Sequence, residues 1–453
     1  MESLTLTIAI LTSFLVFYTK PVWSLVIYCA VMAWYPSYLT VKLGTIDFSA
    51  CRIIILAIFT NLFLRTNLLK HYRFIWLDKL VIIYFIAQLI AGATTTPIMK
   101  LLENRAGAMF DMVLPYFAVR IILKTREQYL FLLKGILCSA VPLACLGLYQ
   151  SITAHNMVGP LKAFAAWGGA AGQGNAPRYG FYRAEVTFSH PIMFGLFFAM
   201  LGPVCVGLFR SASRNRGVYA VGIALMGVGA FSSLSTGPLL AILLAGGFLA
   251  FYRWRKNWKP VLTVIIVMCG IVEVISNRHF YDVLGDFSLK SSAVWYRSKL
   301  VDVALFEGGM SGHWITGYGF RNPNWGPKID GRGISDVVNH YLVILCRYGL
   351  VGLIPFLVMI IAAIKKLVQS YNICNTKSNR WLVWCLSAAL FGILGAMNSV
   401  MLFGAPITIF YMMLAFCGAM PVIMKGRPSA ARYEAWQTPA RMTEENTRCP
   451  FIV

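Results

Sequence analysis

The sequence predicts an all-α polytopic membrane protein with about 12–13 transmembrane helices and two long outer-face loops, the second containing short amphipathic helices. Three observations predict it. Hydrophobic residues fill 58% of the 453 positions and charged residues only 13%, with a mean hydropathy of +0.68, which is too few charges for a soluble chain of this length. Apolar runs approaching the roughly 20 residues that a bilayer requires follow one another along most of the chain. Short Lys/Arg clusters close every second run, the spacing expected if each cluster marks the same, cytoplasmic, side.

That placement also accounts for the net charge of +23. In a soluble domain such a charge would suggest nucleic acid, but here it is topological and implies no nucleic-acid partner. The two long outer loops, about 152–187 and 276–335, contain none of the eleven Cys, so no disulfide framework is implied. The first apolar run has no basic region ahead of it and no small-residue cleavage site, and reads as a retained membrane segment.

Residues 1–151 hold the first helices. Leu4 to Tyr18 and Val22 to Tyr35 are short apolar runs broken apart by Lys20-Pro21. Cys51 to Leu64 ends at Arg65, Lys70 and Arg73, and Leu77 to Ala93 is the next span. Thr94 to Ala108 reads as a short polar connection, Phe110 to Leu123 ends at Arg120, Lys124 and Arg126, and Tyr129 to Ser151 crosses back with Lys134 placed to snorkel. Residues 152–188 form the first long loop. In 189–275, His190 to Phe209 runs into Arg210, Arg214 and Arg216. Next come Val218 to Leu234 and Leu239 to Tyr252, joined through Ser235-Thr236-Gly237-Pro238, and Pro260 to Ile275 leads out to the second loop, 276–336. Residues 337–424 give the last spans, Tyr341 to Ala363, Trp381 to Met397 and Val400 to Met424. The tail, 425–453, is polar and mixed in charge and reads as disordered and cytoplasmic. No internal repeat is visible, so the inverted-repeat signature of many transporters is missing.

The outer loops carry the chemistry. The first has a Gly-rich run, Trp167 to Gly174, and then Arg178 to Pro191. Arg183 lies just before a span, where its guanidinium can present a donor fork to a phosphate at headgroup level; pairing with Glu185 or snorkelling would suit that position as well. His190 reads as a capping or interfacial residue. The second loop sets seven Lys/Arg against six carboxylates, a near balance that argues for individually placed residues. Ser291 or Ser292 can cap a helix running to about Glu307, with Trp295, Lys299 and Val303 on one face and Tyr296, Leu300 and Ala304 on another. Arg297 then sits low over the membrane or on a solvated face. On a continuous helix at about 100° per residue, Asp336, His340 and Arg347 fall within roughly 40° of each other, with Gly349 and Gly352 opposite. One face is polar, the other suited to close packing. Arg347 lies about two turns inside a span, and an intramembrane Arg is expensive unless it faces a cavity or partner. The stripe therefore reads as lining a functional or water-filled cavity.

No Walker loop, dinucleotide glycine fingerprint or metal-ligand spacing is found. A nucleotide-driven or metal-centred reaction is unsupported, and no cofactor is expected.

Several of these residues resemble the O-antigen ligase and O-antigen polymerase superfamily, bacterial inner-membrane glycosyltransferases of the lipid-linked-donor class. They are Tyr296-Arg297 in the long loop, the Gly317-Tyr318-Gly319 turn, Asn339 followed by Gly349-Leu350-Val351-Gly352, and the Arg183 to Pro191 segment. The resemblance implies a multi-pass inner-membrane protein with periplasmic loops and a cytoplasmic C-terminus. It implies metal-independent transfer of glycan from a polyprenyl-diphosphate donor to an acceptor hydroxyl, with a chain-length regulator and a flippase as partners. Arg183 and Arg297 would neutralise the departing diphosphate, and His340 would serve as base for the acceptor hydroxyl, its ring oriented by Asp336. Tyr296, Asn339, Arg321 and Arg347 would join the two arginines in binding substrate. The chain departs from the ligase pattern at one point. Counting back from Gly349 puts Val338 at the ligase histidine position, and His340 lies two residues later. The expectation is therefore a polymerase-like enzyme extending O-antigen or exopolysaccharide. The alternatives are a ligase transferring finished glycan to lipid A–core or another acceptor, and, from a different class, a transporter of small anions or lipid-linked sugars using Arg347 and His340 as its pathway.

Overall fold

The computed structural model describes residues 2–70, 72–165, 177–211, 215–257, 291–329, 331 and 336–425, with single positions between 260 and 271. It is 76% helical, and strand is confined, among the described residues, to one hairpin. The protein is an all-α polytopic membrane protein.

Helices α1 (Glu2–Tyr18) and α2 (Pro21–Trp34) part at Lys20-Pro21, because Pro21 can open a helix but cannot continue one. The hairpin β1 (Thr40–Leu43) and β2 (Ile46–Ser49) turns at Gly44 and leads into α3 (Ala50–Leu64), the short α4 (Thr66–Lys70) and α5 (Trp76–Ala93). Residues 98–108, expected as polar connection, are helical instead. Helix α6 (Ile98–Ala108) runs through a single π turn, Met109–Val113, into α7 (Leu114–Ile122). The turn residues stop at Pro97, and the charges beyond it do not mark a solvated loop, because Leu101 and Arg105 share a buried face, 1% and 6% exposed. Helix α8 (Arg126–Thr153) starts at Thr125, whose hydroxyl accepts from the Gln128 amide as an N-cap.

The chain continues through α9 (Pro191–Ser211), α10 (Arg216–Ser232) and α11 (Thr236–Ala250), the last extended by a 3₁₀ stretch to Asn257. The expected span at 260–275 lies largely outside the described residues, as do the Gly-rich run at 167–174 and the tail beyond 425. After α12 (Ser291–Leu305), which matches the expected loop helix, and the one-turn α13 (Gly326–Ile329), three long helices close the fold: α14 (His340–Ile373), α15 (Lys377–Ala396) and α16 (Ala405–Lys425).

Among the described residues seven helices are long and apolar enough to cross a membrane, and α1, α2, α3 and α10 are shorter apolar ones. Helix α16 is the hub, with 94% of its apolar window buried inside the protein against α7, α9, α14 and α15. Around it α9 packs on α10, α11 and α15, α14 on α5, α1 on α3, and α2 on α8. The outward surface keeps apolar side chains such as Leu11, Phe14, Ile90, Val221 and Leu243, as contact with lipid tails requires.

Two ends can be told apart. At the basic end, Arg126 donates to Asn379 and Ser378, and Arg210 lies over Trp381. Near that end Asp78 and Arg120 form an ion pair at 2.9 Å, 0% and 3% exposed. The Asp78 carboxylate also accepts from Tyr116, Tyr72 and the Ile75 amide. At the loop end, the 177–190 segment, the α12 region and the 397–404 linker lie over the helix ends.

Candidate functional site

Helix α14 is broken at Gly349, where φ is 59° and ψ −158°, a conformation that is essentially glycine-only. A break here frees the carbonyls of Cys346 and Arg347 and the amides of Leu350 and Val351, and the loop after α12 takes all four. Tyr318 N–H donates to Cys346 O (2.6 Å) and Gly319 N–H to Arg347 O (3.2 Å). Leu350 N–H donates to Trp314 O (2.8 Å) and Val351 N–H to Ile315 O (3.1 Å). Backbone near lipid must be satisfied within the protein, and this short ladder does it. A Cβ on Gly349 would run into the Ile315 carbonyl, and one on Gly317 would meet the Cys346 carbonyl at 2.5 Å. The Gly-Tyr-Gly turn and Gly349 are thus two halves of one close backbone contact.

The late start of α14 and its break correct the arithmetic of a continuous helix. Asp336 precedes the helix in extended chain, where its backbone brackets the Tyr296 hydroxyl, which accepts from Asp336 N–H (2.9 Å) and donates to Asp336 O (3.1 Å). Helix α14 starts only at His340, capped by Asn339, whose Oδ1 accepts from the Leu342 amide at 3.1 Å. Gly352 then lies beyond the break, so the two glycines form no single packing face. His340 and Arg347 alone remain on one helical segment.

His340 is 6% exposed. Its Nδ1 accepts from Leu402 N–H at 3.2 Å, its own amide donates to Met397 O at 2.8 Å, and its ring meets Phe356 edge to face. A backbone N–H can only donate, so Nδ1 bears no proton and the neutral ring carries it on Nε2. The Leu402 amide, rather than Asp336, orients the imidazole.

Arg183 donates to Ser235 Oγ at 2.8 Å, and its neighbour Ala184 donates to Ser232 O. Glu185 forms an ion pair with Lys162. Burial and the nearby Arg178 lower the Arg183 guanidinium to about 10, with Glu185 acting in the opposite direction. His190 caps α9, its Nδ1 accepting from Ile192 N–H at 3.1 Å. Burial, then Arg183, Lys162 and Arg178, push its pKa down to about 4. The two histidines share the 397–404 linker, since Leu402 bonds to His340 while the Phe403 ring packs against His190 at 6.5 Å. The linker thereby ties the Arg183 group to the start of α14.

Arg297 stands half-buried on α12, and burial lowers its pKa; among the described residues no hydrogen bond or ion pair holds it. The helix buries Leu300, Val303 and Ala304 with Met310, Trp325, Leu342 and Leu345, so the expected Tyr296/Leu300/Ala304 face packs, whereas Trp295 is exposed. Val338 joins the same apolar cluster. Arg321 is exposed on the turn after Phe320, and Arg347, half-buried, lies over the Phe320 ring at 5.8 Å.

Residues 221–357 match the family model described as O-antigen ligase. This is consistent with the O-antigen ligase and polymerase superfamily. The O-antigen ligase match takes in α12, the backbone ladder and the broken start of α14, with Tyr296, Arg297, Arg321, Asn339, His340 and Arg347, while Arg183 lies before it. No curated protein matches the chain.

Sequence reasoning missed one prominent residue at this end. Arg105, on α6, donates to Gln88, to Asn104 Oδ1 (2.5 Å) and to Tyr348 OH (2.8 Å), and lies over the rings of Tyr348 and Phe320 at 5.2 and 5.8 Å. The four-residue spacing of Leu101 and Arg105 was the signal, legible only once 98–108 is taken as helix.

Proposed function

We propose that the protein is a polysaccharide polymerase-like glycosyltransferase at the periplasmic face of the bacterial inner membrane, with its C-terminus cytoplasmic. It takes glycan from a polyprenyl-diphosphate donor and passes it to an acceptor hydroxyl, without a metal, alongside a flippase and a chain-length regulator. The O-antigen ligase match gives glycan transfer as the class. The observation that carries the reading further is the positive field around Arg183. Beside burial, which is the larger cause of each shift, Arg178 depresses the Arg183 guanidinium, and Arg183, Lys162 and Arg178 all depress His190. A diphosphate brought there relieves that repulsion.

In the reaction the acceptor oxygen bonds to the anomeric carbon, the bond from that carbon to the diphosphate breaks, and the hydroxyl proton leaves. Negative charge grows on the departing diphosphate oxygen, and prepositioned guanidiniums at Arg183 and Arg297 stabilise it. Arg321 and Arg347 extend the binding surface, while Tyr296 and Asn339 hold the chain around Asp336 and the start of α14. The bonds at His340 favour a holding role over that of base, because its lone pair is spent on the Leu402 amide and a general base needs one free. Val338, packed with Leu342 and Leu345, occupies the ligase histidine position, which favours polymerase over ligase.

The test is chain-length distribution and glycan yield in cells producing each variant at normal protein level. Arg183→Ala and Arg297→Ala are each expected to slow transfer about 10²–10³-fold, as for loss of one oxyanion donor; unchanged yield from both overturns the assignment. His340→Gln, which can still accept from Leu402, is expected to retain transfer. Its loss at normal protein level returns His340 to the role of base.

A further inference from the structure

Arg105 and Arg347 reach one aromatic ring from different helices. Arg105 lies seven residues into α6 and Arg347 seven into α14, each about two turns from the loop end. Their guanidinium carbons lie on the Phe320 ring, both at 5.8 Å from its centroid. Phe320 closes the Trp314–Phe320 loop, so the backbone ladder at Gly349 fixes the ring that both share.

The chemistry of the pair is unbalanced. Among the described residues neither guanidinium forms an ion pair with a carboxylate. Of the carboxylates along α6 and its π turn, Glu103 is two residues from Arg105 on the same helix but forms no ion pair with it, and Asp111 is held by Arg52 at 2.5 Å. Arg105 rests on neutral acceptors, Gln88, Asn104 and Tyr348, and its Nε is buried with no hydrogen-bond partner. Thr96 Oγ1, in the turn against which Gly319 packs, is likewise buried and unpartnered. A buried charge without a counter-charge is costly, and Arg105 so placed, with the half-buried Arg347 on the same ring, calls for an anion. Both lie about two turns from the loop end of a membrane protein, and a guanidinium fork matches a phosphate best.

We propose that Arg105 and Arg347, gathered on the Phe320 ring, form a binding site for a lipid-borne phosphate group, in addition to the arginine set around Arg183. The inference rests on the proposed function for its most fitting ligand, the diphosphate of a lipid-linked glycan. A phospholipid headgroup offers the same chemistry.

The test uses the full-length protein in phosphatidylcholine nanodiscs, with polyprenyl diphosphate, uncharged polyprenol and phosphatidylglycerol as probes, retention being read by native mass spectrometry. Arg105→Gln and Arg347→Gln are each expected to weaken polyprenyl-diphosphate retention roughly tenfold or more, as loss of a charge-assisted contact does, and to leave polyprenol unchanged. Equal competition by phosphatidylglycerol assigns the site to a headgroup, and its failure to compete assigns it to the substrate; both keep the anion site. Retention at the wild-type level in the two variants overturns it. If Arg105→Gln does not fold, Arg347→Gln, which alters a half-buried side chain, decides alone. Wild-type retention there together with loss of glycan transfer in Arg183→Ala removes this site and leaves the proposed function standing.

Discussion

Arg120 and Arg105 are both nearly buried, 3% and 6% exposed, at opposite ends of the molecule, and the fold treats them in opposite ways. Arg120 has a carboxylate, Asp78, which two tyrosine hydroxyls and a backbone amide complete. Arg105 has only amide and phenol oxygens and two aromatic faces. A buried ion pair with every acceptor filled is closed and serves as a staple. A buried cation on neutral acceptors keeps its charge at the site, where an anion can still meet it. The contrast separates the end that holds the helices together from the end that receives a ligand.

The strongest way to break this comparison is to orphan the staple. Asp78→Ala leaves Arg120 buried without its counter-charge and is expected to cost about 3–5 kcal/mol, read as loss of membrane yield and a lowered unfolding temperature in detergent. Asp78→Ala with Arg120→Leu is expected to recover part of that loss, because no lone charge remains. Behaviour of Arg105→Gln as severe as that of Asp78→Ala would show that both arginines are staples.

A smaller effect is expected from Gly349→Ala. The new methyl meets the Ile315 carbonyl in a backbone conformation that costs about 1–3 kcal/mol for non-glycine residues. It should loosen the ladder that fixes Phe320, so a lowered unfolding temperature should accompany weakened retention of polyprenyl diphosphate. Unchanged retention would detach the loop from the ligand end.

The smallest effect concerns acidity. The folded chain holds His190 neutral down to about pH 4, whereas an unfolded chain protonates it near 6.5. Between those values the unfolded state binds a proton that the folded state does not, so stability is fully present above pH 6.5 and falls as the pH drops toward 4. In His190→Gln that component of the acid slope should vanish, which unfolding temperatures across this range can measure. An unaltered slope would remove His190 as a source of the acid sensitivity.

The class of fold was legible because hydropathy and basic clusters act over whole segments. The α12 helix was legible for the same reason, its apolar face repeating every turn. What escaped was contact between segments. The Asp336/His340/Arg347 stripe assumed one unbroken helix, and nothing local to Gly349 says that Trp314 and Ile315 supply its missing bonds. Arg105 escaped because a stretch with Lys100, Glu103 and Arg105 looks solvated until Leu101 is seen packing under Gly92. Arg347 stood out by its position inside a span, and Arg183 and Arg297 became candidates through the family resemblance; the tie of Arg183 to Ser235 and that of His340 to Leu402 depend on the 233–235 and 397–404 turns, which no spacing rule places.

The ladder at Gly349 has a consequence for amide exchange. Leu350 and Val351 lie within a helix, yet their protons are held by carbonyls of a loop more than thirty residues earlier in the chain. Deuterium uptake at these two amides therefore reports the Trp314–Phe320 loop. If substrate lifts that loop, both should exchange while the amides further along α14 stay protected, giving an internal gauge of the site's opening without any label on the loop itself.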